Sequence, residues 1–413
     1  MSNGSAMVSG QLDAVGATRR VESRHISAAS WHARVIIVGA VCIVIGILWD
    51  ISWHRTIGRD SFWTPAHLAI YLGGVLGGCV GGWLILRGTF IAAVEEQAQM
   101  VCILGLRGPF GAWLCVWGAI AMLTSAPFDD WWHNAYGLDV KILSPPHTVL
   151  AFGMWAIVWG ALFLVLREQN VARGPEGGAA AAGQALPGRW LVVFAGGILI
   201  AMAATFLTEE SWPNQQRNMR FYQASMMVYP LYLVALARAS AFRFGGTMVA
   251  GAYMLIYCLQ GWLLPLFHGE PKLGPVYNPI GHFAPLTFPL LLVVPALAVD
   301  LLLWLRGGQR GWWRDWLLAA ALAAAFFGLF FVTQWYFSGV LISETAHNRF
   351  FFGELSWGYS DQQGEYRGRF WSEINPQWNA PATWSGIWWA LLWAFGAVRL
   401  GLWFGTWLAS VKR

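Results

Sequence analysis

The chain has 413 residues, of which 57% are hydrophobic and only 11% are charged, and its mean hydropathy is +0.49. This composition is too apolar and too poor in charge for an ordinary soluble domain, so it predicts an integral membrane protein. The net charge of +5 comes from arginines that lie between apolar stretches, which makes the lipid bilayer the expected partner and gives no reason to invoke nucleic acid.

About ten stretches approach or exceed the roughly 20 apolar residues that a helix needs to cross the hydrocarbon core. We therefore predict an all-α, polytopic membrane protein of about ten transmembrane helices, arranged in repeated helix-hairpin units. In chain order the predicted spans are 33–51, 65–87, 103–124, 146–167, 189–207, 221–241, 244–266, 283–305, 315–341 and 384–409.

Arginines lie on one side of these spans, and by the positive-inside rule that side is cytoplasmic. Both termini are then inside, as in a bacterial-type inner membrane protein, and the His, Asp and Glu residues gather on the outer side. A Gly/Ala/Pro linker divides four helices from six. The predicted regions are a cytoplasmic tail (1–32), a four-helix region (33–170), the cytoplasmic linker (171–188), and a six-helix region (189–413) with a long outer segment (342–383).

The connection between the first two spans reads WDISWHRTIGRDSFWTPAH and carries a candidate metal motif. Asp50 and His54 are four residues apart, so both side chains leave one face if the first helix continues past its apolar part. Thr64 suits an N-cap and Pro65 the first helical position, which places His67 in the first turn of the second helix. The spacing therefore brings a carboxylate and two imidazoles to adjoining helix ends.

Chemistry favours a metal at these three positions. A histidine in the first turn of a helix faces the positive end of the helix dipole, which disfavours the imidazolium and keeps a nitrogen lone pair available. Two neutral imidazoles and one carboxylate make a three-ligand site with room for water or substrate. Such a set suits copper, zinc or non-haem iron, and the ligand types do not choose among these transition metals.

The layout recurs further along the chain. Asp129, His133 and His147 repeat the order acid, histidine four residues on, and histidine after a Pro-containing helix start. A third segment keeps His268 and His282 but lacks the acid, which suggests a degenerate copy of an internal repeat. A single histidine at a helix start is most often a cap, but two matching copies are less easily accidental. We therefore predict a second site like the first.

The first motif resembles the metal-site membrane subunit of the copper membrane monooxygenases, the particulate methane and ammonia monooxygenase family. In that family an Asp, a His four residues later and a second His thirteen residues beyond it bind a metal near the outer side of the membrane. Here those positions are Asp50, His54 and His67, and the matching context is Arg59, Asp60, Thr64 and Pro65. The resemblance covers the motif region and implies copper, oxygen activation on a small apolar substrate, and partner membrane subunits.

Three functions remain open at this level. The protein is a copper oxidoreductase or a subunit of one, a copper-handling or transport protein at the outer face, or a structural and assembly subunit with a vestigial site; association with partner subunits or as a homo-oligomer is compatible with each. Ionisable residues within the spans are few, Asp300 and Arg399 being exceptions. The spans therefore offer few polar groups that could form an ion path through the membrane, which favours a fixed metal site over transport.

Overall fold

The protein is described by a computed structural model covering residues 30–137, 144–173, 188–307, 312–359 and 383–412, without the side chains of His133 and Trp312. Residues 1–29 of the predicted cytoplasmic tail, most of the predicted linker and most of the outer segment 342–383 lie outside the described residues.

Within those ranges the chain is almost entirely helical. The helices are α1 (Trp31–Thr56), α2 (Pro65–Phe90), the short α3 (Val94–Gln97), α4 (Phe110–Tyr136), α5 (Pro145–Arg173), α6 (Arg189–Phe206), α7 (Met219–Ala239), α8 (Gly245–Leu263), α9 (Val293–Arg306), α10 (Trp312–Leu341) and α11 (Trp384–Leu408). A two-stranded antiparallel hairpin, β1 (Val101–Ile103) and β2 (Leu106–Gly108), connects α3 to α4.

The all-α, polytopic membrane fold is confirmed. Eight helices of the described residues are long and apolar enough to cross a bilayer. The two other long helices fall short for different reasons: α9 has only 14 residues, and α7 has the least apolar sequence of the long helices. The predicted ten elements are therefore present as helices, and eight of them qualify as spans by length and composition.

Glycines bring the helices of each motif hairpin into close contact. A Cβ placed on Gly73 of α2 would lie 2.5 Å from the carbonyl oxygen of Gly39 in α1. In the second hairpin, a Cβ on Gly118 of α4 would lie 2.5 Å from the carbonyl oxygen of Gly153 in α5. Small residues at such crossings let helix backbones approach closely where no hydrophobic force drives helices together. Close glycine contacts therefore hold both hairpins together.

The predicted bounds of the third span, 103–124, are wrong at both ends. Its first residues belong to the β1–β2 hairpin, whose turn uses Gly105 at φ +83°, and the helix begins only at Phe110, just after Pro109. At the other end α4 continues to Tyr136. Asp129 and His133, which the prediction put in an outer connection, therefore lie on the last turns of α4.

The predicted eighth span, 283–305, is helical only from Val293. We call residues 283–292 the unwound segment, since they have no regular secondary structure although 283–290 are all buried. Pro285 and Pro289 explain this, because each lacks a backbone N–H and disfavours helical geometry in the residue before it. Buried backbone in a membrane protein must find other hydrogen-bond partners.

Four side chains from three helices provide these partners. The hydroxyl of Thr56 accepts from Ala284 N at 2.9 Å, the amide of Gln260 from Leu286 N at 3.3 Å, the hydroxyl of Tyr253 from Leu290 N at 3.0 Å, and the amide of Gln334 from Leu291 N at 3.0 Å. These hydrogen bonds therefore fix the unwound segment within the helix bundle.

Candidate metal centre

The first motif forms where α1 ends and α2 begins. Asp50 and His54 lie one turn apart near the end of α1, and His67 lies in the first turn of α2, as the spacing predicted. The connection between the helices brings a fourth group, Asp60, to the same place. Asp50, Asp60 and His67 offer ligand atoms that all lie within 4.8 Å of one another.

The distances place both imidazoles between the two carboxylates. Nε2 of His67 lies 3.1 Å from Asp50 Oδ1 and 3.5 Å from Asp60 Oδ2. Nε2 of His54 lies 3.5 Å from Asp60 Oδ2 and 3.9 Å from Asp50 Oδ2. The side chains are 21–37% exposed, so the cluster is neither sealed in the bundle nor fully solvated. A small molecule or water can reach it.

Asp60 is the residue that the predicted ligand set lacked, since the sequence analysis treated it only as motif context. The hydrogen bond with His54 and the charges of His54 and His67 lower the pKa of Asp60 despite its partial burial, so this carboxylate stays ionised at neutral pH. A sequence signal for Asp60 exists in the repeat. Asp60 follows Asp50 by ten residues, just as Asp139 follows Asp129. Asp139 lies outside the described residues.

A tight turn before α2 orients His67. Nδ1 of His67 lies 2.9 Å from the carbonyl oxygen of Ser61, which can only accept, so Nδ1 carries the proton. Thr64 precedes α2 as predicted, but its hydroxyl accepts from Ser61 N at 2.8 Å and makes no cap bond to the helix. The hydroxyl thus closes the turn that presents Ser61 to His67. A backbone carbonyl on the distal nitrogen is the usual support of a metal-binding histidine.

The contact between His67 and Asp50 tests whether the cluster suits a metal. With Nδ1 as donor to Ser61, Nε2 is the nitrogen of His67 that faces Asp50 Oδ1, at 3.1 Å. That oxygen is buried, so the imidazole and not bulk water faces it. An imidazole nitrogen and a carboxylate oxygen so close require a cation, either a proton or a metal. The residues present therefore fit a divalent ion.

The second motif is partly formed among the described residues. Nε2 of His147 lies 3.3 Å from Asp129 Oδ1, so the predicted acid and the predicted second histidine meet. Ser144 caps α5, since its hydroxyl accepts from His147 N at 3.3 Å. His133 lies on α4 one turn after Asp129, but its side chain is outside the described residues, so its place in this site stays a prediction.

The two motifs adjoin each other. Helices α2 and α4 pack antiparallel, because Gly74 meets Met122 and Gly78 meets Ala119. Continued in that register, the first turn of α2 lies level with the turn of α4 that carries the second acid. Tyr71, one turn after the first-motif histidine, interacts electrostatically with Asp50 and Asp60 of one motif and with Asp129 of the other. Both clusters therefore lie at the same end of the bundle.

The third segment does not assemble a comparable set. Nε2 of His268 lies 3.3 Å from Glu270 Oε1 with both side chains over 70% exposed, whereas Nε2 of His282 bonds the carbonyl oxygen of Leu355 at 3.1 Å. The two imidazoles thus have different partners, as expected of a degenerate copy.

Fold and site together define an all-α polytopic membrane protein with a histidine–carboxylate cluster between its first two helices. Compared with known protein families, curated proteins and solved structures, the chain matches none of them. Its function is therefore argued from the cluster's own geometry.

Proposed function

We propose that the protein binds a divalent transition metal at Asp50, His54, Asp60 and His67, and that this centre is its functional site. The observation that carries the proposal is the convergence of two imidazole nitrogens, of His54 and His67, on the carboxylates of Asp50 and Asp60 at distances of 3.1–3.9 Å. Two carboxylates also offset the charge of a divalent ion in a setting of low dielectric constant.

Copper is the first candidate, because imidazole ligands suit copper and because the motif resembles that of the copper membrane monooxygenases. Zinc and non-haem iron are the alternatives, which two carboxylates accommodate equally well. A bound copper ion would supply redox chemistry toward oxygen. The protein's own groups hold the ion, orient His67 through Ser61, and leave the cluster partly open to a small apolar substrate.

A copper-handling role is the second candidate, and the adjoining position of the two motifs favours it. In that role the second motif, Asp129, His133 and His147, passes or shares the ion. The two roles differ in one measurable property: an oxidoreductase retains its metal through turnover and consumes oxygen, whereas a handling protein releases the ion to an acceptor.

Metal analysis of the purified full-length chain tests the proposal. We expect bound transition metal in the wild-type protein, loss of the first-centre metal in His67→Ala, and unchanged binding in the control His268→Ala, whose imidazole also lies near a backbone carbonyl and a carboxylate. If the wild-type protein holds no metal after loading with copper, zinc and iron, the proposed metal centre is refuted, and the cluster is only a contact that holds two helices together. The structural role would then stand.

The proposal includes an orientation, with both termini in the cytoplasm and the metal motifs on the periplasmic side. Cysteine labelling from outside should modify Asp361→Cys and leave Gly178→Cys unmodified, with the unsubstituted chain giving the background of its five cysteines. The opposite labelling pattern would invert the topology.

A further inference from the structure

The end of α1 that carries the first motif is held by residues far along the chain. Arg55 directly follows His54, and its Nη1 donates to the carbonyl oxygen of Pro285 at 2.8 Å. Nη2 donates to the carbonyl oxygen of Ser356, and the guanidinium lies 4.4 Å from the ring centroid of Trp212. A single side chain therefore joins α1 to three segments of the six-helix region.

Thr56 makes the second connection. Its hydroxyl donates to the carbonyl oxygen of Ser52 at 2.7 Å and accepts from Ala284 N of the unwound segment at 2.9 Å. Ser52 and Thr56 are fully buried. The hydroxyl thus bonds both its own helix and the unwound segment, and it has no solvent to replace either partner.

Backbone groups at the same helix end are also occupied. Tyr359 N donates to the carbonyl oxygen of Arg55 at 3.0 Å, and Lys272 N donates to that of Ile57 at 2.9 Å. The last carbonyls of a helix have no partner within the helix and usually bond water or a cap. Here they bond distant segments, which prevents fraying of the turn that carries His54.

We propose that Arg55 and Thr56, docked on the unwound segment, position the end of α1 so that Asp50 and His54 meet His67 in metal-binding geometry. The six-helix region then serves as the scaffold of a centre whose ligands all come from the first two helices and the connection between them. Arg55 and Thr56 are positioning residues that contact no metal. This inference rests on the proposed function, because it requires that the centre bind metal.

Thr56→Val tests the inference, since valine keeps the shape and removes the hydroxyl. Copper(II) is titrated into the full-length chain in a His147→Ala background, so that the remaining site is the first centre. Loss of a supporting contact weakens metal sites by about 10- to 100-fold, so we expect at least about tenfold weaker copper binding. The copper(II) EPR spectrum should change with it, because the ligands shift.

Two matched variants separate positioning from general damage. Thr56→Ser retains the hydroxyl and should restore both affinity and EPR spectrum. Thr406→Val removes a hydroxyl that, among the described residues, donates to the carbonyl oxygen of Leu402 in its own helix, and this variant should bind copper as the His147→Ala parent does. If Thr56→Val binds copper with the parent affinity and spectrum, the inference is overturned.

Arg55→Lys decides the matter if Thr56→Val does not fold. Lysine keeps the charge but cannot donate to two carbonyls and stack on Trp212 together, so we expect weaker copper binding than in the parent. Parent-like binding by folded Arg55→Lys would then overturn the inference. If the His147→Ala parent itself binds no copper, both the proposed copper site and this inference fail. That result differs from copper binding by the variants with parent affinity, which overturns the inference alone.

Discussion

The two motif hairpins share a layout and differ in what surrounds them. Each carries an acid one turn before a histidine, a Pro-containing helix start with a second histidine, and a glycine crossing that brings the helices together. In the first, Asp60 of the connection joins the cluster, and Arg55 and Thr56 dock the helix end on the unwound segment; the corresponding connection of the second lies mostly outside the described residues. Local sequence thus builds similar hairpins, and long-range contacts hold the end of the first one.

The largest expected effect on metal affinity comes from replacing the second histidine of each motif, His67 or His147. His67→Ala should weaken metal binding at the first centre by roughly 100-fold or more, because a ligand is lost and not merely its support. His147→Ala should act in the same way on the second centre only. Metal stoichiometry and titration calorimetry measure both. Equal losses from either substitution would mean that the motifs form one shared site.

The next largest effect on metal affinity comes from Asp60, the carboxylate in the connection between α1 and α2. Asp60→Asn should weaken metal binding at the first centre by about 10- to 100-fold, since it removes a charge that faces both imidazoles. Asp139→Asn should do the same at the second centre if the repeat extends to that position. Asp130→Asn is the control, because Asp130 bonds Asn134 within α4. An unchanged affinity in Asp60→Asn would leave only the three predicted ligands.

A smaller effect tests the glycine crossings. Gly73→Ala adds a methyl group against the α1 backbone, so we expect a loss of about 1–3 kcal/mol in the free energy of unfolding and weaker metal binding at the first centre. Gly118→Ala should act likewise on the second hairpin. Gly82→Ala, on the same helix as Gly73, meets no atom within 4 Å and should change neither. Denaturant titration in detergent compares the three variants.

The smallest effect is a pH dependence. Because His54 and His67 lower the pKa of Asp60 below its ordinary value of 3.8, the stabilisation from this carboxylate is present above about pH 4 and is lost as the pH falls through the lowered pKa. We expect about 1 kcal/mol or less. Thermal unfolding of metal-free protein between about pH 2 and 5 should show this acid loss in the wild type. An identical profile in Asp60→Asn would contradict it.

Much of the fold was predictable because hydropathy and helix periodicity are local properties. The ten predicted apolar stretches correspond to helices, and the i, i+4 spacing of Asp50 and His54 placed them one turn apart. The meeting of His67 with Asp50, and of His147 with Asp129, followed from short connections between adjoining helices. Such connections leave few arrangements, so spacing was a sufficient guide.

Sequence by itself therefore determined the class of protein, the helices and the main candidate ligands, since each depends on residues near one another in the chain. Tertiary structure decided the rest. Asp60 enters the cluster because the connection between α1 and α2 folds back over the helix ends. Residues 283–292 remain unwound and buried because their backbone N–H groups find side chains on helices distant in sequence, a match that hydropathy does not encode.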